Sequence, residues 1–381
     1  MSEEKKFLPY GRQSVREEDI RAVTEVLRGD FLTTGPLVER FEQAVAEKVG
    51  IAHAVAVSSG TAALHTAVAS LGLEQGDEVI LPTLTFAATA SAVVHCGLTP
   101  VFADVDPDTL LLTPDRMLEK ITPRTRAVIG VDYAGQPCDY DAMREAVAAT
   151  GANIHVIADA SHSLGATDHG RPVGSLAELS SFSFHAVKQI TTGEGGMITT
   201  DSDELALRMR RFRNHGFSKS GAANQSSASW EYQLPEPGFN YRLSDILCAL
   251  GLSQLDRLDD VVAHRSRIAS LYDQMLATHE TIRPLAVRMD IEHGRHLYVV
   301  RLPADRRADI FAQMRAAGIG VQVHYRPVHL FEYYQSRFGT SEGDCPAAES
   351  TYKEILSLPI HPEMAEADGE RTVEMLTVAI G

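Results

Sequence analysis

SFSFHAVKQITTGEGGMITT, residues 181–200, joins two apolar strand-like runs through a histidine, a lysine and a cluster of Thr and Gly. Neither helix nor strand continues comfortably through TTGEGG, so Lys188 stands at the end of a buried strand, before a tight turn. A lysine placed there is either a misfit or a reagent. In a shielded pocket its pKa falls and the neutral amine becomes available for a Schiff base. Most lysines are solvated, so the reading depends on what else the fold brings beside it.

Outward from this stretch, short apolar runs recur between residues 54 and 200: AVAVS, EVILP, TPVFAD, RAVIGVD, IHVIAD, SSFSF and GMITT. Helical patterns separate most of them, with starts expected at Thr61 and at Thr113-Pro114-Asp115. Val/Ile-rich runs alternating with helices predict an α/β domain, with a mostly parallel sheet covered on both faces. The stretch from Tyr241 to Leu276 reads as one long helix leading into mixed elements, with HLYVVRL and GVQVHY as strands and RADIFAQMRAAG as a helix. The expected organisation is a large α/β domain with its N-terminal arm over residues 1–254 and a small α+β domain over 255–381. Residues 217–237, rich in Ser and Ala and bounded by prolines, read as a long surface excursion.

In an open α/β sheet, ligands bind at the carboxyl ends of the strands. Three stretches fall there. Ser58-Ser59-Gly60-Thr61 ends one strand and opens a helix, whose free N–H groups and dipole suit a phosphate; an ordinary N-cap has the same look. Asp159, at the tip of IHVIAD, can pair with a protonated ring nitrogen, and His162 just beyond can meet a ring substituent; a helix cap and a satisfied histidine is the plain alternative. Lys188 is the third. A phosphate cup, an acid and a lysine, each ending a different strand of one sheet, form the set that pyridoxal 5′-phosphate requires. No G-x-G-x-x-G follows a strand and no G-x-x-x-x-G-K-[ST] occurs, which argues against dinucleotide and nucleoside triphosphate sites.

The chain has 381 residues, 44% hydrophobic and 23% charged, enough for a proper core in more than one domain. Its 35 basic and 51 acidic residues give a formal charge of −16, spread along the sequence, which argues against nucleic acid or an anionic membrane as partner. Cys96, Cys138, Cys248 and Cys345 are far apart and lack zinc-site spacing, so they read as reduced thiols, with no metal. MSEEKKFLPYGRQ has no apolar leader, and no apolar run approaches the roughly 20 residues of a membrane span. A cytoplasmic location is the expectation.

At these residues the sequence resembles the DegT/DnrJ/EryC1/StrS sugar aminotransferases. The resemblance runs nearly end to end, through LTTGPLVERFE, VSSGTAALH, PTLTFAATASAV, DASHSLGA, SFSFHAVKQITTGEGGMITT, GFNYRLSDILCALGLSQL and VHYRPVH. It implies the aspartate-aminotransferase fold (pyridoxal phosphate fold type I) and transfer of an amino group from L-glutamate to a nucleotide-linked keto sugar. It further implies that Lys188 carries the cofactor and shuttles the proton, that Asp159 holds the pyridinium proton, and that His162 contacts the ring hydroxyl. Gly60, Thr61 and Ser183 would hold the phosphate, with Asn240 reaching in from a partner subunit, and Phe86 would stack on the ring. On the substrate side it implies Thr33, Thr34, His185, Tyr325 and, from the partner of a homodimer with shared active sites, Arg242. Glu194, Gly195 and Gly196 read as scaffold for the turn. Relatives that act as dehydratases carry His in place of the lysine, so Lys188 favours transamination. A catalytically idle ligand-binding protein of the same fold is the competing class.

Overall fold

The computed structural model of the protein describes residues 7–218 and 232–381; most of the Ser/Ala-rich excursion falls outside them. The seven apolar runs form one sheet. Its strands are β1 (His53–Val57), β2 (Glu78–Pro82), β3 (Thr99–Ala103), β4 (Thr125–Val131), β5 (His155–Asp159), β8 (Leu179–Ser183) and β9 (Gly196–Thr200). Their order across the sheet is β1-β9-β8-β5-β4-β2-β3. The strands β8, β5, β4, β2 and β3 pair in parallel, while β9 runs antiparallel to both β8 and β1. Two-residue strands β6 (Thr167–Asp168), β7 (Arg171–Pro172) and β11 (Ile291–Glu292) make a small ribbon. A second sheet, ordered β10-β12-β13, holds β10 (Arg283–Pro284), β12 (Tyr298–Arg301) and β13 (Ile355–Leu358).

The helices of the first half are α1 (Glu17–Arg28), α2 (Pro36–Val49), α3 (Gly60–Ser70), α4 (Ala87–His95), α5 (Pro114–Leu118), α6 (Tyr140–Thr150) and α7 (Asp203–Phe212). Those of the second are α8 (Asp245–Leu255), α9 (Leu258–Leu276), α10 (Arg307–Ala316), α11 (Glu332–Phe338), α12 (Pro346–Tyr352) and α13 (Glu366–Ile380). None of the described helices is long and apolar enough to cross a membrane. The central strands are buried on both faces, as a parallel sheet under two helical layers requires. A second core gathers Ile268, Tyr272 and Leu276 of α9, Ile310 and Met314 of α10 and Leu376 of α13, and it takes in Leu8 from the N-terminal arm. The first core in turn includes Val328, Tyr334, Cys345 and Ile355 from the C-terminal third.

Three local expectations are corrected. The stretch from Tyr241 to Leu276 is two helices, because the chain breaks at Asp256-Arg257, where Arg257 leaves helical geometry. From this break the Arg257 guanidinium bonds the carboxylate of Asp19 at 2.5 Å and the Ser14 carbonyl at 3.0 Å, pinning α1 to the core. GVQVHY makes isolated bridges, Gln322 with Ser357 and Ile319 beside it with Leu8, and no strand. Helix α3 begins one residue earlier than Thr61, with Ser59 as N-cap and its Oγ accepting from the Ala62 N–H at 3.1 Å.

Two glycines let α3 approach the sheet. A Cβ on Gly60 would lie 2.7 Å from the Cβ of Ser183, at the end of β8, and one on Gly196 would lie 2.4 Å from the Ser59 carbonyl oxygen. The second contact is with backbone and has no side chain to move aside, so overpacking there forces the helix outward. We expect Gly196→Ala to lose about 2 kcal/mol of stability in urea unfolding and most of its cofactor retention. Wild-type values for both would mean that the helix end is free to shift.

Candidate active site

The carboxyl ends of β5 and β8 and the start of α3 enclose a cavity of about 430 Å³. Gly60, Thr61, Phe86, Asp159, His162, Ser183, His185, Lys188 and Tyr325 all line it. As the first two helical residues, Gly60 and Thr61 have N–H groups with no intrahelical acceptor, and the Ser183 hydroxyl lies at the same point. Phe86, the residue before α4, is 59% exposed and is no core aromatic; its ring stands 5.8 Å from that of Tyr325.

The turn carrying Lys188 is built by the Thr/Gly run. The Phe184 N–H donates to the Gly195 carbonyl at 2.8 Å, and the Thr192 N–H and Thr191 hydroxyl return bonds to the Phe184 carbonyl at 3.0 and 3.1 Å. Gly193, at φ +80°, closes the turn, with its N–H donating to Thr191 Oγ1. Gln189 ties the turn inward through its side-chain amide, which donates to the carbonyls of His162 and Gly294. Of the three residues read as turn scaffold, Glu194 also lines the cavity, and Gly196 belongs to β9. Loss of hydration pushes the Lys188 amine down to about 8; Asp159 opposes that shift and the positive charge of Arg265 adds to it.

Asp159 is buried and fixed by hydroxyls. Thr89 Oγ1 donates to one carboxylate oxygen at 2.7 Å, and the Ser161 hydroxyl and N–H donate to the other at 2.6 and 3.2 Å. Thr85 in turn contacts Thr89 at 2.7 Å. His162 Nε2 is 3.1 Å from the Tyr325 hydroxyl, its ring centroid is 4.4 Å from that of His296, and its buried Nδ1 has no protein partner. Burial, with the nearby Lys188 and His324, holds the His162 pKa well below its ordinary value, so the ring is neutral.

Tyr10, His296 and His324 line the same cavity, and of these the sequence had singled out only the neighbourhood of His324. Tyr10 comes from the N-terminal arm and packs at a tilt against His324, with ring centroids 5.4 Å apart. Nothing in the local pattern of Tyr10 or His296 marks it, because each arrives from a distant segment. Thr89 and Ser161, which hold Asp159, were also missed; their spacing to a strand-end acid was the available signal.

Four expected site residues lie elsewhere in the chain's own fold. Thr34 and Arg242 line a separate recess of about 600 Å³, and Thr33 and Asn240 are exposed. The buried carboxylate of Asp245 joins the two segments, accepting from the N–H groups of Gly35 at 2.8 Å and Leu37 at 3.0 Å. The Arg242 guanidinium donates to Asn214 Oδ1 at 2.8 Å.

Known proteins with the same sequence pattern and geometry show which family the chain falls in. Residues 13–377 match the model of the DegT/DnrJ/EryC1/StrS aminotransferase family. The chain belongs to that family. It is similar to SpsC, a spore coat polysaccharide biosynthesis protein of Bacillus subtilis, at 41% identity over 97% of this chain and 96% of that one. Among solved structures it resembles Spr1654 of Streptococcus pneumoniae, described as a sugar aminotransferase, in its PMP form (TM-score 0.93, 32% identity, 98% and 99% coverage). It also resembles Helicobacter pylori PseC, an aminotransferase of pseudaminic acid biosynthesis (TM-score 0.92, 31% identity, 98% and 99% coverage). The family's cofactor is pyridoxal 5′-phosphate, and Spr1654 is also solved in its PLP form. The cavity fits that group: an amine, a fixed carboxylate, an unpartnered imidazole nitrogen, a bare aromatic face and a helix start with free N–H donors all converge there.

This site makes stability depend on pH in a stated direction. Burial lowers the pKa of His162 and His296 well below the ordinary value and that of His324 to about 4, while the unfolded histidines titrate near 6.5. Above that pH both states are neutral there. As pH falls below it, only the unfolded chain takes up protons, and each such histidine costs at most about 1.4 kcal/mol per pH unit. The cofactor-free protein is therefore expected to unfold at clearly lower urea concentration at pH 5.5 than at pH 7.5. Equal midpoints would contradict the buried neutral cluster.

Proposed function

We propose that this aminotransferase uses pyridoxal 5′-phosphate to pass the amino group of L-glutamate to a nucleotide-linked 4-keto-6-deoxy sugar. The product favoured is UDP-4-amino-4,6-dideoxy-N-acetyl-β-L-altrosamine, for pseudaminic acid or a related surface glycan. The observation carrying the reaction type is the meeting of Lys188, Asp159, His162 and the α3 start in one cavity. The sugar rests on the likeness to PseC and to a polysaccharide biosynthesis protein.

When bound, the cofactor supplies an aldehyde that accepts the amino group and a protonated pyridine that stabilises the carbanion beside it. The chain's own residues make that chemistry usable. Lys188, with a pKa near 8, presents a useful fraction of neutral amine at neutral pH and can both take and return a proton at Nζ. Asp159, locked by Thr89 and Ser161, stays oriented toward a ring N–H. Neutral His162 offers Nδ1 to the ring substituent. Gly60, Thr61 and Ser183 take the phosphate, and Phe86 covers the ring face. His185, exposed at the cavity mouth, and Tyr325 face the sugar side.

The active unit is a homodimer in this reading. Thr33, Thr34, Asn240 and Arg242 lie outside the Lys188 cavity, and the same part of the surface carries exposed Phe31, Leu32 and Phe239. A second copy packed there would bury these apolar side chains and bring Asn240 to the cofactor phosphate and Arg242 to the sugar diphosphate, which a guanidinium recognises well.

A visible absorbance scan tests the reaction and the substrate together. L-glutamate should bleach the cofactor band, and only the correct member of a panel of UDP- and dTDP-linked 4-keto-6-deoxy sugars should restore it. Restoration by a dTDP sugar alone would replace the UDP-linked substrate. Lys188→Ala is expected to abolish turnover while the folded protein still takes up cofactor; turnover at the wild-type rate would sink the assignment. Arg242→Ala should raise KM for the nucleotide sugar about tenfold or more, leave the cofactor band unchanged, and be complemented in mixed dimers. Sedimentation as a monomer under turnover conditions would exclude the shared site.

A further inference from the structure

Beneath the Lys188 turn lies a fully buried arginine from the middle of α9. Arg265 has no accessible surface, and among the described residues no carboxylate lies within salt-bridge distance of it. Its guanidinium is held by carbonyls instead. One terminal nitrogen donates to Ile360 at 2.9 Å, His296 at 3.3 Å and Arg295 at 3.4 Å; the other donates to Val187 at 3.1 Å and Lys188 at 3.5 Å. Nε has no hydrogen-bond partner. Burying a guanidinium without an anion is costly, and the usual solution is an ion pair.

We propose that Arg265 is a positioning residue for Lys188: its guanidinium grips the backbone at Val187 and Lys188, fixes where the amine emerges, and keeps an uncancelled positive charge behind it. This rests on the reading of Lys188 as the cofactor-bearing amine.

The geometry favours this role over plain packing. Arginine's planar fork reaches several carbonyls at once, a grip that a lysine ammonium carrying the same charge cannot reproduce in full. The carbonyls it binds belong to the Lys188 turn, to the segment carrying His296 and to the chain just beyond β13, so one side chain registers the cavity floor against its wall. Because its partners are neutral dipoles, its field is not cancelled as it would be by a carboxylate. Lys188, His264, His296 and His361 all feel that charge, and in each it favours the neutral base. The other ionisable groups around Lys188 are Asp159 from β5, which opposes Arg265, His162 just beyond that strand, His296, His324 and Tyr325 from the C-terminal third, Tyr10 from the arm, and His185 and Glu194 on its own turn.

The test is the pH dependence of Lys188 acylation by an amine-reactive reagent, read by peptide mass spectrometry on the full-length cofactor-free protein. Wild type, Arg265→Lys and Arg265→Gln are compared, with circular dichroism to establish folding. Wild type should show a midpoint near 8. Arg265→Lys should stay close to it, and Arg265→Gln should rise by roughly one unit, so that labelling at pH 7 falls about tenfold. A wild-type midpoint near the ordinary 10.4, or a folded Arg265→Gln protein that titrates like wild type, overturns the proposal. Should the Gln variant not fold, Arg265→Lys decides: a folded protein with its midpoint at the ordinary lysine value overturns the proposal, because the retained charge then adds nothing to the effect of burial. Borohydride trapping of added pyridoxal phosphate on a lysine other than Lys188 would instead defeat the reading of the site, and leaves the midpoint comparison standing.

Discussion

The site depends on how closely the first turn of α3 lies against the ends of β8 and β9. Ser59, Gly60 and Ser183 are packed so tightly that a methyl group at Gly60 or Gly196 would overlap its neighbour. That contact places the free N–H groups of a helix start, a hydroxyl and the lysine turn on one edge of the sheet. Were α3 displaced outward, each group would still exist, but the donors would no longer converge on a volume the size of one cofactor. The helix dipole falls off within its first turn, so its use as an anion site depends on this proximity.

Electrostatically the cavity is richer in bases than the rest of the molecule. A chain with a formal charge of −16 surrounds its site with basic groups, and burial keeps His162, His296 and His324 neutral. The buried carboxylate of Asp159, that of Glu194 on the lysine's own turn, and one cation with no carboxylate partner, Arg265, frame a lysine poised near neutrality. Such a site is well suited to proton traffic, because the bases in it are available as bases. The anionic ligand parts are met by N–H and hydroxyl dipoles, whose strength does not depend on pH.

The large sheet was legible in the sequence because strands buried on both faces become continuous Val/Ile-rich runs, and all seven lie where those runs fall. Lys188, Asp159 and His162 were legible for a related reason: each lies at or just beyond a strand end, and strand ends of one sheet share an edge. What escaped was tertiary. Tyr10 and His296 reach the cavity from distant segments, and Arg265 looks like any other arginine within an amphipathic helix. The break between α8 and α9 has no Pro or Gly at it; Arg257 turns there toward Asp19, a partner in α1. GVQVHY alternates like a strand, yet it contributes single bridges between the arm and β13.

The reversed strand β9 has a further consequence. In the parallel part of the sheet each strand end leads into a crossover, where chain length can change with little effect on the neighbouring strand. The segment carrying Lys188 instead closes a hairpin, with Ser183 opposite Gly196. An inserted or deleted residue there would shift the register or unseat the lysine, so the length of this segment is fixed by the sheet itself. The arm and the region around Asn240 and Arg242 are held instead by single side-chain bonds and bridges, such as Asp245 to Gly35 and Leu37 and Arg242 to Asn214. The chain thus combines a lysine segment of fixed length with crossovers elsewhere in the sheet whose length can change.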